Sequence, residues 1–291
     1  MRASSVLHRI RSLQGSDLLG YLLFSHGWTW AWWSVNIVGG YDAFGTGLPF
    51  TIVGGAGPFL GGVVMSYVTY GRKGLLDLWN RLTELRRISL QWGVITMMFF
   101  PLLAVLTGTI AVLSTDATFV LDAGEFLALL GEPSAFAIAV LVILVVGPLP
   151  EEIGWRGYLL DRCQIRWSAL TSSLGVGIVW ASWHAPLFLM PGYFASFDFE
   201  PSPVLFAVNI LIISVVYTWL YNNTGRSVLA LIGFHFMENF VGQMTSLPPS
   251  AESIRITLIV LVILGIVVWF GAQTFRRDDS LPLPPTASRS L

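Results

Sequence analysis

Residues 148–163 read Pro-Leu-Pro-Glu-Glu-Ile-Gly-Trp-Arg-Gly-Tyr-Leu-Leu-Asp-Arg-Cys and follow an uncharged, almost purely apolar run from Ala135 to Gly147. Two adjacent carboxylates, Glu151 and Glu152, therefore end a stretch that reads as lipid-buried. An ionised side chain within a bilayer costs about 3 kcal/mol or more, so such a pair points to chemistry. A short cytoplasmic loop that begins with two glutamates would read the same way on this stretch alone. Pro148 and Pro150 lack backbone donors and interrupt the preceding helix. A helix restarted there sets both glutamates near its positive end. Arg156 follows Glu152 by four residues, on the same helix face, and can neutralise it. Glu151 is then free to act as a general base.

Two further apolar stretches carry histidine. Trp180 and His184 are four residues apart and share a face, so the indole can hold the imidazole's orientation. His235 and Asn239 have the same spacing. Either histidine alone reads as a satisfied packing residue. Glu151, Glu152, Arg156, His184, His235 and Asn239 together must find water or one another in a solvent that cannot hydrogen-bond. A polar cavity shared by their three helices is the economical arrangement. Glu238 lies roughly 100° around the helix from Asn239 and stays unassigned. His26, beside the tryptophan-rich run from Trp28 to Trp33, reads as packing or interface anchoring. Ser182 lacks the Gly-x-Ser-x-Gly elbow of a serine hydrolase. No His-Glu-x-x-His zinc-protease helix is present. The lone Cys163 excludes an intrachain disulfide framework and a cysteine-based zinc cage.

The elements that must position these residues are apolar helices. The 291-residue chain is 54% hydrophobic and 11% charged, with 12 Trp and 19 Phe, against roughly 25% charged in soluble domains. Eight segments approach the length of about 20 residues that a spanning helix needs. They are Leu18–Val38, Leu48–Tyr70, Gln91–Leu113, Ala135–Pro150 continuing into the glutamates, Ser168–Met190, Pro203–Tyr221, Ser227–Leu247 and Ile254–Ala272. With the N-terminus inside, every Lys and Arg except Arg255 falls on the cytoplasmic side. Asp42, Asp116, Asp122, Glu125, Glu132, Asp198 and Glu200 fall on the other. This positive-inside pattern predicts an all-α, polytopic membrane protein of about eight transmembrane helices with both termini cytoplasmic.

The polar, basic N-terminus reads as a lead-in to the first helix and not as a cleaved signal. Gly71–Leu90 is basic with apolar residues at helical spacing, and predicts an amphipathic helix on the cytoplasmic leaflet. A substrate-gripping element is its alternative reading. Gly57 and Gly61 suit close helix packing. The stretch 114–134 is an acidic external loop, and 278–291, rich in Pro and Ser, reads as a disordered tail. The organisation predicted is helices 1–3 with their loops over 1–134, a catalytic core over 135–247, and a last helix with tail over 248–291. The partners expected are the lipid bilayer and a membrane-associated protein or peptide, with no nucleic acid.

The series Glu151-Glu152-x-x-x-Arg156, aromatic-x-x-x-His184 and His235-x-x-x-Asn239 resembles the CAAX protease and bacteriocin-processing family of intramembrane endopeptidases. Trp180 stands where that family more often has Phe. The resemblance implies peptide-bond hydrolysis within the membrane, on C-terminal tails of lipidated proteins or on small peptide precursors. Glu151 would be the base, His184 would share its water, and His235 and Asn239 would donate to the oxyanion. Trp180 would lie at the substrate. The resemblance leaves a glutamate mechanism and a metallo-mechanism both open; in the latter Glu151, His184 and His235 would hold a divalent metal such as Zn²⁺. Two other classes compete. A transporter would also carry intramembrane charges, but no matching pair of broken helices or internal repeat is present. A catalytically silent scaffold or immunity protein would keep the fold without turnover.

Overall fold

The computed structural model describes residues 2–114, 120–121, 130–195, 201–246, 251–278, 280–281 and 284; side chains are described from Ser16 onward, except those of Val120 and Leu121. The acidic residues Asp116, Asp122, Glu125, Asp198 and Glu200, and most of the tail after Asp278, lie outside the described residues.

The described chain is helical. In order, the helices are α1 (Arg2–Gly39), α2 (Leu48–Gly55), α3 (Gly57–Tyr70), α4 (Arg72–Thr83), α5 (Leu90–Ser114), α6 (Pro133–Val146) and α7 (Pro148–Gly154). A single π-turn, Trp155–Leu159, joins α7 to α8 (Leu160–Gln164). The series ends with α9 (Ala169–Trp183), α10 (Pro203–Asn223), α11 (Val228–Met244) and α12 (Ala251–Phe270). Short 3₁₀ turns, Leu85–Arg87 and Ala185–Leu189, follow α4 and α9. Two-residue strands, Val120–Leu121 and Thr245–Ser246, pair antiparallel.

The boundaries follow from residue type. Ser168 and Ser227 cap α9 and α11 by accepting from the backbone N–H of Thr171 and Ala230 at 3.2 and 3.1 Å. Pro133, Pro148 and Pro203 open helices whose first N–H groups have no intrahelical acceptor. Gly71, at φ +62°, ends α3 and turns the chain directly into α4.

Among the described residues, five helical segments are long and apolar enough to cross a membrane: Leu48–Tyr70, Leu90–Ser114, Pro133–Gln164, Pro203–Asn223 and Ala251–Phe270. This is an all-α polytopic membrane protein. The other three expected spans fall short for reasons tied to what they carry. The first helix, α1, buries Ser25, Thr29 and Asn36. The second and third, α9 and α11, are 15 and 17 residues long. Exposed Leu102, Val105 and Leu106 on α5, Ile138, Leu141 and Val142 on α6, and Leu261, Leu264 and Val268 on α12 make an apolar outer surface. In water such a surface would be unfavourable by roughly 25 cal/mol per Å²; against lipid it is at rest.

The segment 150–164 is the opposite case, since every residue in it is buried. Helix α3 packs along one side of it and α11 along another. Glycines set the first approach: a Cβ on Gly62 would stand 2.7 Å from the carbonyl oxygen of Ile153. The α2–α3 glycines are thus packing residues. Helix α9 pairs with α10, and α5 with α11 and α12.

Candidate active site

The acidic segment is built as its residue types require. Gly147 (φ −125°, ψ −82°) breaks away from α6, and Pro148 opens α7. Glu151 lies in the first turn of α7, its N–H donating to Gly147 O at 3.1 Å. Free N–H groups at this helix end favour a carboxylate there. Beyond Gly154 the chain widens into the π-turn, in which Leu160 N–H reaches back to Trp155 O. Single π-turns of this kind occur mostly at functional sites. Arg156 sits within it and not in regular α-helix.

The two glutamates have different surroundings. Oε1 of Glu152 accepts from Arg156 Nη1 at 2.8 Å and from His235 Nδ1 at 2.9 Å, and its side chain is 0% exposed. The Arg156 guanidinium lies over two neighbouring ring faces, 4.5 Å from the Trp180 centroid and 4.2 Å from that of Tyr217. Such contacts are worth about 2 kcal/mol when desolvated. Glu151 meets a neutral donor: Nε1–H of Trp180 lies 2.5 Å from its Oε2.

His184 ends α9, where Pro186 forces a 3₁₀ turn. Its Nδ1 is 2.8 Å from the carbonyl oxygen of Trp180. A carbonyl only accepts, so Nδ1 carries the proton and, in the neutral ring, Nε2 offers a lone pair. The Trp180 ring neighbours both histidines, 6.2 Å from His184 and 5.4 Å from His235. Asn239 is the least buried member. A Cβ on Gly147 would lie 3.1 Å from Asn239 Nδ2 and 3.7 Å from Glu151 Oε1, so both side chains border the break before α7.

The structure thus brings Glu151, Glu152, Arg156, Trp180, His184, His235 and Asn239 into one cluster. Two expectations change in detail. His235 faces Glu152 through Nδ1, so it belongs to the Glu152–Arg156 pair as much as to any oxyanion. Trp180 is buried and its N–H is engaged with Glu151, which makes it a wall and donor of the site. One neighbour escaped the sequence reading and another was left unassigned by it. Tyr217 covers Arg156 with its ring and donates its hydroxyl to Glu238 Oε2 at 2.5 Å. Glu238, unassigned before, therefore sits behind the site as the acceptor of Tyr217. The two are 21 residues apart on different helices, and no local spacing links them. An open apolar groove of about 440 Å³ lies between α9 and α10, lined by Ile178, Ala181, Val204 and Leu211 among others, none of them a member of the cluster.

The nominated metal ligands do not converge. Among the described residues no group of three or more His, Cys, Asp or Glu side chains is arranged to hold a metal ion. Nδ1 of His184 faces a backbone carbonyl and Nδ1 of His235 faces Glu152, which leaves Nε2 as the ring nitrogen either histidine could offer an ion. These residues, as arranged, do not fit a zinc site, which needs ligands about 2.0–2.2 Å from the ion.

Residues 133–241, which hold the whole cluster, match the family model of the Rce1-like type II CAAX prenyl endopeptidases. The chain is also similar to CAAX prenyl protease 2 of Methanococcus maripaludis, with 26% identity over 204 residues, covering 69% of this chain and 74% of that protein. The motif order, the buried acidic turn between apolar helices and both similarities support the CAAX protease and bacteriocin-processing family of intramembrane endopeptidases.

Proposed function

We propose that this protease hydrolyses a peptide bond near the C-terminus of a prenylated, membrane-associated protein, using a water activated by Glu151 and His184. The observation that carries the catalytic assignment is the unequal setting of the two carboxylates. Glu152 is bound by a guanidinium and an imidazole, whereas Glu151 meets the indole N–H of Trp180. A cation beside a carboxylate weakens it as a proton acceptor more than a neutral donor does.

In this reading Glu151 takes a proton from water while Nε2 of His184 accepts the other O–H and fixes the nucleophile's direction. The hydroxide oxygen bonds to the scissile carbonyl carbon. Asn239 Nδ2 donates to the oxyanion that forms. His235 can join it from Nε2 only as imidazolium, with Nδ1–H kept on Glu152. Collapse breaks the C–N bond, and Glu151 returns its proton to the leaving amine. Arg156 neutralises Glu152 and is itself held by Trp180 and Tyr217. A donor to the developing oxyanion typically contributes about 3 kcal/mol. No step is routed through a metal.

The substrate class follows from the relative's activity as named, a CAAX prenyl protease; small peptide precursors are the second substrate class compatible with the family. We further propose eight crossings with both termini cytoplasmic, from the distribution of Lys and Arg. The catalytic unit spans 135–247, between an N-terminal helical region over 1–134 and a terminal helix and tail over 248–291. Comparing protein C-termini in membranes from cells with the wild-type chain and with Glu151→Ala tests the activity. Uncleaved C-terminal tails should accumulate in the variant. Identical C-termini in both would contradict it.

A further inference from the structure

The sequence reading counted Arg81 and Arg226 as cytoplasmic loop charges, yet both are buried in one ionic cluster with Asp77 and Asp161. Arg81 comes from α4, well before the family-matched segment. Its Nε lies 3.0 Å from Asp77 Oδ2, and its Nη1 donates to Asp161 Oδ2 at 3.2 Å and to the Tyr221 hydroxyl at 2.9 Å. Arg226 holds the same two carboxylates, 2.9 Å from Asp77 Oδ2 and 2.5 Å from Asp161 Oδ2. Two carboxylates and two guanidiniums balance, so the cluster is complete in charge without the catalytic pair.

Arg81 makes one contact set that Arg226 does not. Its Nη2 donates to Gly157 O at 2.7 Å, and its Nη1 stands 3.5 Å from Arg156 O. These are carbonyls of the π-turn, where i→i+5 bonding displaces the ordinary helical partners. They belong to the residue that neutralises Glu152 and to the one after it. The Arg156 side chain needs that support: Nη1 is on Glu152, while Nε and Nη2 have no hydrogen-bond partner among the described residues. One hydrogen bond, two ring faces and the backbone beneath it decide where the guanidinium sits. Leu78, one turn before Arg81 on α4, closes against the same turn; a Cβ on Gly157 would lie 2.9 Å from its Cδ1.

We infer that Arg81 is a positioning residue for the Glu152–Arg156 pair, clamping the π-turn carbonyls from the amphipathic helix α4. The inference rests on the catalytic reading above. It gives α4 a role beyond lying on a leaflet. Its exposed Leu76 and Trp79 can face lipid while Arg81, on the buried side, reaches the backbone of the site.

The test compares Arg81→Lys with Arg226→Lys in the full-length purified protein. Both substitutions keep the charge and lose the planar fork on the same two carboxylates. The readouts are melting temperature, kcat and KM on a farnesylated peptide ending in Cys-aliphatic-aliphatic-X. Both variants should melt lower than wild type by similar amounts. Only Arg81→Lys should lower kcat, by about ten- to a hundredfold as expected for misplaced catalytic groups, with KM within about twofold. Unchanged kcat in Arg81→Lys, or parallel losses in both variants, would overturn the inference.

Should Arg81→Lys fail to fold, Gly157→Ala replaces it, because the added methyl presses Leu78 and α4 away from the turn without touching a charge. Its kcat should fall and recover when Leu78→Ala is added; a normal kcat in Gly157→Ala, or no recovery, overturns the inference. Failure of the catalytic reading itself is read separately, as cleavage that survives Glu151→Gln.

Discussion

The indole N–H of Trp180 donates to Oε2 of Glu151 across 2.5 Å, joining the aromatic of one motif to the first carboxylate of another. The same ring covers Arg156 and contacts both histidines. Trp180 therefore touches Glu151, Arg156, His184 and His235 of the cluster. Its N–H orients the carboxylate, and its ring face holds the guanidinium.

Those two functions can be separated. Trp180→Phe keeps a ring face and removes the donor; a hydrogen bond to a charged group is worth about 1.5–3 kcal/mol. Turnover should fall roughly ten- to a hundredfold, with the melting temperature little changed. Trp180→Ala also strips the Arg156 face and should lose both activity and stability. Turnover of Trp180→Phe equal to wild type would show that the N–H contact is incidental.

Asn239 borders the break before α7 beside Glu151 and carries no proton in the proposed mechanism. Asn239→Ala should lower kcat by roughly 10²–10³, the usual cost of one lost oxyanion donor, and leave KM nearly unchanged. Asn239→Asp should be no better, because it sets a negative charge beside the oxyanion. Steady-state kinetics of both variants check this.

Chelation tests the reading without a metal step. Purified enzyme dialysed against a strong zinc chelator should keep its cleavage rate, since Glu151, His184 and His235 do not converge on a common point. Loss of activity on dialysis, restored by added Zn²⁺, would contradict it.

Reporter tags check the topology. Tags at residues 1 and 291 should read as cytoplasmic and a tag at Glu125 as external, following the side on which Lys and Arg gather. A tag at either terminus reading as external would change both the orientation and the number of crossings.

How much of this was legible depended on the range of each interaction. Pro148, Pro150 and the glutamates announced a restarted helix because helix starts are written in consecutive residues. Glu152–Arg156 was legible because four residues make one turn. The π-turn beneath Arg156 was not, since it is a shift of backbone hydrogen bonds with no residue type of its own. Tyr217 over Arg156, and Glu238 beyond it, join separate helices. Arg81 and Arg226 read as cytoplasmic charges; their neutralisation by Asp77 and Asp161 exists only once α4 folds against the segment 150–164. The second partner of Glu152 was also illegible, because His235 reaches it across 83 positions.

The central claim is that neighbouring glutamates do different work, Glu151 in proton transfer and Glu152 in holding Arg156 and His235. Measuring cleavage and thermal stability together for Glu151→Gln and Glu152→Gln tests it most directly. Glu151→Gln should lower cleavage by about 10²–10⁴ or more, as for loss of a general base, and melt close to wild type. Glu152→Gln should melt markedly lower, because removing one partner of a buried ion pair costs about 3–5 kcal/mol. Cleavage that survives Glu151→Gln, or equal destabilisation by both substitutions, would contradict the division of labour.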